Sequence, residues 1–128
     1  MNLQQSKHLL KVRMGYEITT STGHVWTAVP TGWRDESTKL TWKYEDEEGK
    51  YTYDEAIAKF GEALPSKEEW ETAEKHGIRE VLDLEGKWLW SSSLVSDFRG
   101  YAWLFGTGVG SVNSFDRYIT GGARCVGR

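Results

Sequence analysis

Apolar and polar positions change their rhythm three times along the chain. Over residues 8–18, Leu10, Val12, Met14, Tyr16 and Ile18 alternate with Lys11, Arg13 and Glu17. A period of two predicts a half-buried strand. Thr20-Ser21-Thr22-Gly23 is a turn signal, and His24 to Val29 predicts the returning strand. Residues 8–29 therefore read as a β-hairpin, closed by Pro30 and Gly32. Leu40 to Tyr44 predicts a further short strand, and Glu45 to Gly49 a charged, solvated loop.

The rhythm then becomes helical. Thr52 with Glu55 three residues on forms a capping box, Ala56, Ile57 and Phe60 supply an apolar stripe, and Gly61 stops the helix. Ser66 with Glu69 repeats the device for a second helix, in which Trp70 and Ala73 share a narrow apolar face. Gly77 is the expected left-handed residue at its end, and Ile78 the apolar residue that follows.

Alternation returns in the last third. Lys87 to Ser92 predicts a strand with Trp88 and Trp90 on one face, and Tyr101 to Phe105 another with Trp103 and Phe105 on one side. Gly106 to Ser114 is rich in Gly and Ser and is expected to be a flexible loop or a hairpin tip, with short strands at Arg117 to Ile119 and Ala123 to Val126. Strands, two helices, then strands argue for an α+β fold rather than an alternating one. With 128 residues, a single compact unit is expected.

Composition narrows the function classes. The chain holds 7 Trp and 14 Gly but only 2 Pro, which suits a small loop-rich β structure with an aromatic core. Its 16 basic and 19 acidic residues leave a net charge of -3, so no basic footprint points to nucleic acid. No apolar run is long enough to insert into a membrane, and the polar start lacks a signal-peptide core. A cytoplasmic or virion-associated location is therefore expected ahead of a secreted one. The single cysteine, Cys125, excludes an internal disulfide.

Several short motifs then occur in a fixed order. Trp33-Arg34-Asp35, Thr38, Leu40 and Trp42 are followed by Tyr53-Asp54-Glu55-Ala56 and by Leu64-Pro65-Ser66 with its acidic helix to Trp70. Trp90-Ser91-Ser92, Ala102-Trp103 with Phe105, and Arg124-Cys125-Val126 complete the series. Over residues 30–128 this series resembles a bacterial family of the C-type-lectin fold, the Fibrobacter-type major paralogous domain, whose members read L-P-T, W-S-S and R-C-V-R. Here Gly127 stands where the second Arg of the last motif would be. The resemblance implies a C-type-lectin-like domain of two helices packed on a twisted antiparallel sheet, preceded by an extra hairpin at residues 1–29.

The resemblance implies recognition rather than turnover, through the late loops. Phe98, Arg99, Asn113, Phe115, Arg117 and Tyr118 are the partner-binding candidates, since aromatic and Arg side chains on Gly-rich loops are what recognition surfaces use. The expected partner is a protein or a carbohydrate; a homo-oligomer assembled through the hairpin is the alternative. Formylglycine-generating enzymes share the fold and a similar L-P-T-E-x-E-W segment, which makes a divergent enzyme of that type a second alternative. That chemistry needs reactive thiols, and Cys125 in its strand reads as a buried small hydrophobe. Iron-dependent relatives need clustered histidines. Of His8, His24 and His76, the first two would meet across the hairpin, while His76 ends a helix. No lectin calcium motif, catalytic residue, metal site or cofactor is expected.

Overall fold

The computed structural model describes residues 15–128. The expected strand over residues 8–18 lies partly outside the described residues, as does His8. Within them, β1 (Glu17–Thr19) pairs antiparallel with β2 (Val25–Val29), so the hairpin forms around the Thr20–Gly23 turn. It is not an appendage. β2 pairs in turn with β3 (Gly32–Asp35), and β3 with β4 (Thr41–Lys43). Hydrogen bonding is thus continuous through position 29/30, where the hairpin was expected to end. The Pro30-Thr31 step is a tight turn, and Trp33 faces Trp42 in the next strand.

Two helices follow where the capping boxes place them. α1 (Tyr53–Phe60) starts at Thr52 and α2 (Lys67–Lys75) at Ser66; in both, hydroxyl and glutamate satisfy each other's backbone N–H groups. Gly77 is left-handed, as expected, but the chain does not then become extended. It turns into a short third helix, α3 (Ile78–Val81), which drives Ile78 and Val81 into the core.

The last third departs further from expectation. β5 (Trp88–Val95), β6 (Phe98–Gly106) and β7 (Ser111–Asp116) form an antiparallel sheet of their own. The stretch Gly106–Ser114 runs into β7 because β6 supplies a pairing partner along that whole strand, and β5 and β6 take up most of Ser93–Gly100. The described residues thus hold two antiparallel sheets and three α-helices, in place of one sheet and two helices.

β8 (Val126–Gly127) closes the first sheet by pairing with β4. The approach to β8 is the seam between the sheets. Gly121 bridges Tyr51, Gly122 bridges Leu89, and Val126 pairs with Trp42. The second sheet carries a core on each face. Leu89 and Phe105, directly paired, join Trp26, Trp42, Trp70 and Ile78. Their neighbours Trp90 and Leu104 point the other way, to Tyr53, Ala56 and Leu64. Trp70 lies between Phe105, stacked at 4.6 Å, and Trp42 at 4.8 Å.

Candidate functional site

The six candidate residues lie on β6, on β7 and just beyond them, not on loops. Phe98 and Arg99 open β6 immediately after the β5–β6 turn, and both are exposed. Asn113 is exposed in mid β7. Phe115, also on β7, is half-buried; its ring meets the edge of Trp88 at 5.0 Å. It therefore covers the second core instead of facing outward.

Arg117 follows β7 and is engaged within the chain. It pairs with Asp54, donates to the Arg99 carbonyl at 2.8 Å, and lies 5.1 Å from the Tyr53 ring centre. Its backbone N–H bonds Gly100 O at 2.9 Å, so the end of β7 is fastened beside the start of β6. Tyr118 comes next and is 71% exposed, with Phe98 at 68%.

Tyr101, 48% exposed, lies at the same end of β6 although it was not among the candidates. It shares the parity of Trp103 and Phe105, but the sheet outruns the core at that end. Phe98, Tyr101 and Tyr118 are thus exposed at the same end of the second sheet as Arg99, since Arg117 bonds the carbonyls of Arg99 and Gly100. Only the strand parity of Tyr101 could have signalled it, and parity reports a face without saying where cover stops.

A second cluster joins residues far apart in the chain. His76 ends α2, and its Nδ1 lies 2.6 Å from Oδ2 of buried Asp35, at the end of β3. Asp35 Oδ1 also accepts from the Ser37 N–H at 2.9 Å. His24 lies flat against His76, centroids 3.8 Å apart. The predicted meeting of His24 with His8 falls outside the described residues. The His24 and His76 rings meet face to face, so neither ring donates a proton to the other. The His76 carbonyl accepts from Trp26 Nε1 and from Thr20 Oγ1, both at 2.9 Å. These contacts fasten the hairpin turn to the end of α2. Among the described residues no group of three or more His, Cys, Asp or Glu is placed to hold a metal.

The R-C-V segment is likewise engaged. Arg124 is buried, donates Nε–H to Asp46 Oδ1 at 2.7 Å, and bonds the carbonyls of Lys43 and Tyr44. Asp46 also accepts from Lys87 at 2.6 Å. The loop expected to be merely solvated is therefore held by two cations. Burial pushes the Cys125 thiol up to about 11, helped by the negative charge of Glu47. A shallow cleft between the end of α1 and the C-terminal residue is lined by Ile57, Gly61, Leu64, Ser92 and Arg128. The Arg128 guanidinium there is already held by Glu69 at 2.6 Å.

No helix among the described residues is long and apolar enough to cross a membrane. The chain matches no family model and no curated protein.

Proposed function

We propose that this chain is a C-type-lectin-like module that binds a protein or glycan partner and catalyses no reaction. One observation carries the proposal: Phe98, Arg99, Tyr101 and Tyr118 are all exposed at one end of the second sheet. These rings contribute little packing to the fold, and aromatic and Arg side chains are the usual anchors of recognition surfaces. The lectin-like assignment is supported by the motif series and by the capping boxes at Thr52 and Ser66, which form at the motif positions.

The chemistry of the remaining groups agrees. A nucleophilic cysteine needs a thiolate near neutral pH. Cys125, buried and pushed up to about 11, is a thiol there. His76 has an orienting carboxylate in Asp35, but its exposed side faces another imidazole rather than a nucleophile.

The test is a paired screen on glycan and protein arrays, with the parent chain and Phe98→Ala/Arg99→Ala side by side. Neither side chain belongs to either core, so the double variant is expected to melt with the parent. A ligand captured by the parent and lost by the variant is the expected result. Ligands retained equally by both would place recognition elsewhere and sink the assignment.

A further inference from the structure

Among the described residues the second sheet has one covered edge and one open edge. On β5, the outward groups of Trp88 and Trp90 bond Gly122, through its N–H to Trp88 O at 3.0 Å and its carbonyl to Trp90 N–H at 2.9 Å. On β7, Arg117 N–H bonds Gly100 O, so residues 117, 115, 113 and 111 turn their backbone groups toward β6. Val112 and Ser114 turn theirs outward, and those groups meet no backbone partner among the described residues. Natural edge strands usually protect themselves with Lys, Pro or a bulge. Ser111-Val112-Asn113-Ser114-Phe115 has none of these, and its pairing with β6 is regular throughout.

We propose that the occupant of this edge is the β7 strand of a second copy, paired antiparallel about a two-fold axis at Asn113. In this register Val112 of each copy faces Ser114 of the other, so both sets of outward groups are satisfied at once. Two further matches select it. Asp116, exposed, comes opposite Gly110, against which the Arg79 guanidinium is packed so closely that a Cβ on Gly110 would strike it. Arg79 gives Nε–H and one Nη2–H to Glu74 and approaches Thr107 O through Nη1, leaving N–H groups on both terminal nitrogens for Asp116 of the second copy. Val109, 63% exposed at the β6–β7 turn, comes beside the end of the second copy's β7. Phe98 and Arg99 stay clear of the axis, so a dimer would present that surface twice.

The experiment is light scattering and sedimentation across a wide concentration range, on the full chain, Ser114→Pro and Val109→Lys. Proline at position 114 removes an outward N–H and leaves the β6 ladder intact. Val109→Lys changes only an exposed tip, and decides the matter if the proline variant fails to fold. The parent is expected to move from the mass of one chain to that of two. Each variant is expected to raise the dissociation constant at least about tenfold, about 1.4 kcal/mol. A parent that stays monomeric throughout overturns the proposal, as does a dimer that both variants form equally well. An edge that instead takes up an unrelated extended peptide, with no dimer, overturns it too. None of these results depends on whether the Phe98 surface binds a ligand.

Discussion

His76 holds Asp35 through Nδ1 at 2.6 Å and carries His24 on its ring face at 3.8 Å, so one side chain makes two contacts of unequal weight. Asp35 is fully buried. Removing His76 strands a carboxylate away from water, which costs about 3 kcal/mol. Removing His24 forfeits a ring stack of about 1 kcal/mol and leaves the carboxylate paired. Urea denaturation should therefore rank His76→Ala well below His24→Ala in stability. Equal losses would mean that the stack, not the Asp35 bond, fastens the hairpin to α2.

Trp70 joins the first sheet's core to the second through two ring contacts. It is fully buried between Trp42 and Phe105, on a helix whose exposed face is charged. Trp70→Ala should cost about 3–5 kcal/mol, enough to unfold a domain of marginal stability. Trp70→Phe keeps a ring in the stack and should cost visibly less. Thermal melts of the two variants check the order.

Acid should weaken the fold over a defined range. The Glu36 carboxyl is held down to about 2 by hydrogen bonds from Arg34, Thr27 and Lys39, against an ordinary value of 4.5. For Asp46 and Glu69 burial pushes upward, but the bonds and charges of Lys87 and Arg124, and of Arg128 and Ser66, outweigh it and leave both below the usual range. A depressed carboxyl stabilises the folded state fully above its unfolded value and loses that contribution as pH falls through its folded value. Stability should hold from neutral pH to about 5 and then decline, the Glu36 share fading from about 4.5 toward 2. Glu36→Gln should flatten part of that decline in denaturant titrations at stepped pH. An unchanged acid limb would show that Glu36 is paired equally in the unfolded chain.

Local signals made the helices legible and left the sheets only half so. Two capping boxes located α1 and α2 because a cap acts within four residues, all visible in sequence. α3 was hidden: Gly77 and Ile78 look the same whether the chain then extends or turns again. β7 was hidden because Gly and Ser look like loop until β6 supplies a partner, and pairing is not written in either strand alone. Which of the candidate residues are exposed could not be sorted from the sequence. Arg117 is occupied by Asp54, more than sixty positions away, and Phe115 by Trp88, both products of tertiary packing.

Gly32 was read as a breaker after β2, yet it opens β3. The Trp42 backbone carbonyl lies where a Cβ would stand, so the neighbouring strand sits closer than any side chain permits. Gly32→Ala should push β4 from β3 and, through β4, loosen β8. The expected result is a loss of several kcal/mol, at the large end for a single substitution. A near-normal melting temperature would mean that the strands part locally without disturbing Trp33 and Trp42.

Cys125 reports on the opening of the seam between the sheets. It lies in the segment that bonds Lys43 N–H through its own carbonyl at 3.1 Å, one residue before β8. Burial and Glu47 keep the thiol protonated up to about 11, and only thiolate attacks disulfide reagents. The native chain should therefore react far more slowly than the urea-unfolded chain at pH 8. Asp46→Asn weakens the charge that holds Arg124, the residue beside Cys125. It should speed labelling under native conditions by releasing the segment locally. Global stability should fall by less than the labelling rate implies, because β5 and β6 do not depend on that bond. Labelling that tracks global unfolding in both proteins would instead make the seam part of one cooperative unit.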